Sequence, residues 1–215
     1  MFSKPIINLR GFTLIELMIT LAVATVLLST ALPNFVQAIN NNRLATNTND
    51  FIASLNLARS ESIKRGFNVV VARTGANWED GWQVFVDVDT SPAADANVFN
   101  DDGDTTPCEA GEDCVLKVYS ALPNSFTLRA DDDSSFANFI TYSSTGRSNS
   151  GGSFGMCDNS DNSGVPKPNK ARLIAVNMTG RVSLGSDANN DGIPNTDLVA
   201  TAASNMTSCT NPPNG

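Results

Sequence analysis

The sequence predicts an α+β fold: a long N-terminal helix, transmembrane in its first half, packed on a mostly antiparallel β domain. Three observations carry this. Phe12–Leu32 is an apolar run broken by a single charge, Glu16. A semi-apolar stripe at helical spacing follows, through Leu44, Thr48, Phe51, Ile52, Leu55, Ala58 and Ser62. After Gly66 the apolar period changes to two, the signature of strands.

The apolar run is long enough for a bilayer. At ~1.5 Å per residue it covers roughly 30 Å, the thickness of the hydrocarbon core. Its N-terminal flank, residues 1–11, carries Lys4 and Arg10 and no acid. That places the start of the chain in the cytoplasm and exports the rest. Pro33 removes a helical hydrogen bond and crowds the preceding turn, so a helix bend is expected there. Asn40, Asn41, Asn42 and Arg43 mark a polar exit from the membrane. Near the far end, Glu61 and Arg65 are spaced for an i,i+4 ion pair. Lys64 and Arg65 suit the negative end of the helix dipole, and Gly66 suits a C-cap. The organisation expected is a leader at 1–11, a transmembrane helix at 12–33, an amphipathic continuation at 34–66 and an exported β domain at 67–215.

Eight short strands are expected: 67–73, 82–88, 115–121, 125–130, 138–143, 152–157, 172–177 and 180–184. Pro, Gly, Asn and Asp separate them, and Thr179-Gly180 is placed as the hairpin turn into the last. The helix stripe is expected to cover one sheet. Two polar insertions interrupt the pattern, the strongly acidic Asp87–Asp113 and the stretch Asp158–Lys170. Trp82 alternates with Val84 and Val86 and reads as core, while Trp78 and Trp82 together flank a turn at Glu79-Asp80-Gly81.

Composition narrows the function. The chain has 215 residues, 14 Lys+Arg against 22 Asp+Glu, and no His. Without His, Ser-His-Asp and Cys-His sites are excluded, and nothing else points to catalysis. A formal charge of −8 disfavours nucleic acid, whose binding rests on neutralising phosphates. Four cysteines, Cys108, Cys114, Cys157 and Cys209, lie in polar stretches of the second half without any CxxC pair. That suits disulfides in an oxidising compartment better than zinc. Three pairings are open. Cys108–Cys114 would close a short loop, and Cys157–Cys209 would tie down the C-terminal tail.

The basic leader followed by Gly-Phe-Thr-Leu-Ile-Glu and an apolar run resembles the class III signal of type IV pilins and type II secretion pseudopilins. The resemblance implies cleavage between Gly11 and Phe12 by a membrane prepilin peptidase, with N-methylation of Phe12. A glycine before the cut fits a tight subsite and permits extended backbone. Glu16 is costly alone inside a membrane and less so when paired. The new ammonium of Phe12 supplies a partner, on the same chain or a neighbour, so the resemblance implies an assembly role for Glu16.

Further along, residues 41–66, with the run ARSESIKRG, and WEDGWQVFVDVD at 78–89 resemble the FimT/FimU minor pilins and the related GspH pseudopilins. That resemblance covers most of residues 10–185 and implies a helix packed on two β-sheets. It implies a structural subunit that initiates or assembles a type IV pilus, or alternatively a type II secretion pseudopilus. Its partners would be other pilins or pseudopilins, prepilin peptidase and an inner-membrane assembly platform. Its location would be the inner membrane, as a single-pass chain with a periplasmic C-terminal domain, and then the fibre. Some FimT-type proteins capture DNA through Gly-Arg-x-Arg. Here the matching stretch, Gly180-Arg181-Val182-Ser183, lacks the second Arg, so nucleic acid is not an expected partner.

One last motif lies in the tail. Asp187, Asn189, Asp191, Asn195 and Asp197 alternate oxygen ligands around Gly192, a pattern that suits a polar turn first and Ca²⁺ as the alternative. Leu198 replaces the bidentate Glu of an EF-hand, so that motif is excluded. No cofactor is otherwise required.

Overall fold

The computed structural model describes residues 11–88, 96–100, 111–131, 135–196 and 204–210, apart from the side chains of Pro33 and Asn34. The chain divides into two units, Met1–Asn40 and Asn41–Gly215. The second takes in part of the helix because the buried stripe begins at Leu44.

Helix α1 spans Leu14–Arg65 and continues through Pro33. In the first unit it is apolar all round, as expected of a helix facing lipid or a partner. From Leu14 to Leu32 its described side chains are exposed. In the second unit one face is buried: Leu44, Phe51, Leu55 and Ala58 are fully inaccessible. The polar members of the stripe turn their hydroxyls back onto the helix, as Ser and Thr do when buried mid-helix. Thr48 donates to Leu44 O at 2.7 Å and Ser62 to Arg59 O at 2.9 Å. The helix ends where the glycine C-cap was expected: Gly66 has φ +76° and its N–H reaches Ser62 O at 3.0 Å.

Eight strands are present among the described residues: β1 Asn68–Arg73, β2 Trp82–Asp87, β3 Cys114–Tyr119, β4 Phe126–Ala130, β5 Phe139–Tyr142, β6 Gly152–Asp158, β7 Ala171–Val176 and β8 Val182–Leu184. They form two antiparallel four-stranded sheets, ordered β3-β2-β1-β5 and β4-β6-β7-β8. The last strand starts two residues later than the period suggested. Asn177 Oδ1 accepts from the N–H groups of Thr179 and Arg181, which makes 177–181 a turn and leaves Arg181 outside the strand.

The helix stripe was expected to cover one sheet; it packs against both. Phe51 meets Trp82 of the first sheet at 5.2 Å and Phe154 of the second at 4.8 Å, both edge-to-face. The inner faces of the sheets, with Val69, Val71, Val84 and Val86 on one and Leu128, Met156, Ile174 and Val176 on the other, close around the helix as one core. Trp78 belongs to it. It is 2 % exposed and donates its indole N–H to Phe136 O at 2.9 Å, so no exposed aromatic pair exists at this turn.

Each sheet also has a covered outer face, which explains why β2 and β7 read as nearly continuous apolar runs. On the first sheet, Val70 and Phe85 are buried and Phe99 packs on Phe85 at 5.4 Å. The ends of the acidic insertion hold this cover down. Buried Asp113 accepts from Val88 N and Asn100 N, and buried Asp87 accepts from Asn97 N. On the second sheet, Cys157, Ala171 and Leu173 pack with Met206 and Cys209 of the tail in a separate small core.

The ARSESIKRG run acquires a physical meaning here. Arg59 donates from Nε to Gly146 O at 3.1 Å and from Nη2 to Thr179 O at 3.2 Å, joining the helix to a turn of each sheet. Glu61 takes Arg65 at 2.6 Å and Lys64 at 3.2 Å.

Candidate processing and assembly site

The residues expected at the leader junction sit at the start of α1. Gly11, Phe12 and Thr13 are non-helical and exposed, with Phe12 85 % accessible. Thr13 is the N-cap. Its backbone N–H and its hydroxyl both donate to Glu16 Oε2 at 2.9 Å. The Glu16 N–H donates back to Thr13 Oγ1 at 3.2 Å, and Leu17 N closes the first turn onto Thr13 O at 3.2 Å. This is a capping box, the reciprocal arrangement that satisfies two otherwise orphaned N–H groups. Glu16 therefore has a local partner that the sequence reading did not assign. The cue, Thr-Leu-Ile-Glu, was legible as T-x-x-E before an apolar run.

From the box onward, Leu14, Ile15, Leu17, Met18, Ile19, Leu21, Val23, Val26, Leu27, Leu28 and Leu32 are each at least half exposed. So large a continuous apolar surface marks a membrane or a packing partner. The helix is long and apolar enough to cross a membrane. Pro33 lies within α1, and its side chain is outside the described set.

The other candidate residues lie in the second unit. Cys157 and Cys209 form a disulfide, with Cα atoms 5.8 Å apart, and both are buried. Cys114 is also disulfide-bonded, while Cys108 lies outside the described residues. Arg129 fastens the tail from the neighbouring strand, donating to Thr210 O at 2.9 Å while pairing with Glu79.

The oxygen-rich loop is organised by its own hydrogen bonds. Asp187 accepts from Gly192 N at 2.7 Å and from Asp191 N at 3.2 Å. Asp191 accepts from Ile193 N and from the side-chain amides of Asn189 and Asn205. These bonds, the Ile193 N–H first, hold the Asp191 carboxyl below the usual carboxylate range. Asn195 is buried, accepts from Ala188 N at 2.6 Å and donates to Asn205 Oδ1 at 3.0 Å. Asp197 lies outside the described residues. Among the described residues, no three His, Cys, Asp or Glu side chains are grouped as a metal site.

Comparison with known proteins fits this geometry. The family model for the type II transport protein GspH matches residues 47–180, which takes in the buried helix stripe from Thr48 onward, β1 to β7 and the turn that follows. The chain belongs to the GspH family. A model of the prokaryotic N-terminal methylation motif matches residues 8–32, the leader junction and the apolar half of α1. The chain is thus a pilin-class subunit, of the pilin or pseudopilin type, with a GspH domain. No curated protein matches it. Among solved structures, it is similar to the type IV minor pilin FimU of Pseudomonas aeruginosa, at 14 % identity over 74 % of this chain and 96 % of that one, with a TM-score of 0.48. It is also similar to the minor pseudopilin EpsH of the Vibrio cholerae type 2 secretion system, at 12 % identity over 66 % of this chain and 95 % of that one, with a TM-score of 0.43. The GspH match ends at Gly180, so β8, the oxygen-rich loop and the disulfide-tied tail lie beyond it.

Proposed function

We propose that this GspH-family chain is a minor pilin that helps initiate or assemble a type IV pilus. The observation that carries the reading is one helix with two surfaces: an exposed apolar half bearing the methylation motif, and a striped half built into a GspH domain. In this reading the precursor sits once in the inner membrane with its β domain in the periplasm. Prepilin peptidase cuts between Gly11 and Phe12, and Phe12 is N-methylated. Removing the leader takes away Lys4 and Arg10 and leaves one ammonium at Phe12. The assembly platform then delivers the subunit into the fibre. There the exposed apolar face exchanges lipid for neighbouring helices, and Glu16 meets a Phe12 ammonium. A paired carboxylate at that depth costs less than a lone one, so the charge favours docked subunits over free ones. The role is structural, and no step of it calls for catalysis by this chain.

Mass spectrometry of the mature protein tests the processing: an N-methylated chain beginning at Phe12 is expected, and an intact Met1 or a start beyond residue 30 refutes it. Deleting the gene tests the machine. Loss of surface pili with secretion intact supports the pilus. The second reading, a type II secretion pseudopilus subunit, is favoured by the description of the matching family. It predicts the reverse, secretion lost and pili retained.

A further inference from the structure

We propose that the Thr13–Glu16 capping box fixes where α1 begins, and by doing so holds the Gly11–Phe12 bond in non-helical backbone for the processing enzyme. Thr13 is then a positioning residue for leader removal. This rests on the processing reading above, and the methylation motif matched at residues 8–32 is the independent sign that an enzyme acts at this junction.

A peptide bond inside a helix has its N–H and C=O committed to the i→i−4 ladder and wrapped by side chains. A protease needs both groups free and the backbone extended. Helix α1 starts at Leu14, two residues beyond the Gly11–Phe12 bond. Little else in the sequence would stop it there. Ile6, Ile7, Asn8, Leu9 and Arg10 include no proline, and a single glycine at position 11 is a weak breaker. In a low-dielectric surrounding, an uncapped helix end leaves N–H groups without acceptors. Such an end gains by winding one more turn toward the leader, which would draw Gly11 and Phe12 into the helix. The box removes that gain: Glu16 Oε2 satisfies Thr13 N, and Thr13 Oγ1 satisfies Glu16 N.

The geometry also separates two duties of Glu16. Oε2 takes both Thr13 bonds, and among the described residues Oε1 takes none. The box needs no atom of residues 1–11, so it persists after cleavage. Oε1 is then left for an ammonium. Capping requires an oxygen acceptor at position 16 and a hydroxyl at position 13. Assembly requires the charge.

Those requirements can be tested apart, using the full-length precursor in lipid nanodiscs with purified prepilin peptidase. Initial rates of leader removal would be measured for the native chain, Thr13→Val, Thr13→Ser and Glu16→Gln. Thr13→Val keeps the shape and deletes the hydroxyl, and cleavage should slow about five-fold, the equivalent of a typical N-cap. Thr13→Ser should restore the native rate. Glu16→Gln retains an amide oxygen, so it should be cut at the native rate yet fail to assemble. In parallel, the ¹³Cα shifts of Gly11 and Phe12 should move toward helical values in Thr13→Val alone. Native-rate cleavage of Thr13→Val, or equal slowing of Glu16→Gln, overturns the proposal while leaving the processing reading intact. A native chain left uncut at Gly11–Phe12 overturns both.

Discussion

The two halves of α1 have one backbone and opposite surroundings. From Leu14 to Leu32 the apolar side chains point outward in every direction, and from Leu44 to Ser62 one stripe is buried and the exposed face is mostly polar. Helix propensity does not separate them; the angular distribution of apolar residues does. The first half is suited to lipid or to other helices. The second uses its stripe to organise two sheets that would otherwise have no common core.

The sharpest way to break this comparison is Phe51→Ala. The ring is fully buried against Trp78, Trp82 and Phe154, so deleting it should cost about 3–5 kcal/mol, read by denaturant unfolding of the detergent-solubilised chain. A loss under about 1 kcal/mol would mean that the helix does not organise the sheets. Next comes the joint variant Cys157→Ala with Cys209→Ala. The bond spans 52 residues and anchors the small outer core, so about 2–4 kcal/mol should be lost, with earlier proteolysis of the tail.

Gly180→Ala follows. Its φ of +77° and a Cβ position 2.1 Å from Gly146 O leave no room at the turn that Arg59 holds, and a loss of about 1–3 kcal/mol is expected in the same assay. Smaller still is Glu61→Ala, at about 0.3–0.5 kcal/mol. Arg65, and then Lys64, hold the Glu61 carboxyl below its ordinary value. Its contribution is therefore complete at neutral pH and fades as pH falls through that lowered value. A native–variant difference that grows on acidification would contradict the assignment. Leu17→Ala, in the exposed half, should leave domain unfolding within about 0.5 kcal/mol, while any effect shows in fibre incorporation.

Much of this was legible in the chain. The stripe from Leu44 to Ser62, all eight strands, the glycine end of the helix and the Glu61–Arg65 pair follow from period and spacing alone. The cap at Thr13 is written in the sequence too, as Thr-x-x-Glu, although Glu16 also has the form of a lone charge in an apolar run. Other features had no local signal. Trp78 looks like a turn residue until Phe136, distant in sequence, offers a carbonyl to its indole. The acidic insertion looks solvated until Asp87 and Asp113 are found buried, each accepting backbone N–H groups.

By itself the sequence determined the properties set by nearest neighbours: which segments wind or extend, which half of α1 is apolar all round, and which chemistries the absence of His forbids. The tertiary structure alone decided that one helix face serves both sheets, that Arg59 spans to two turns, and that Phe99 and the Met206–Cys209 stretch pack as covers on the outer faces of the sheets. The reason is physical. Periodicity reports which side of an element avoids water, and says nothing about which distant segment will exclude it.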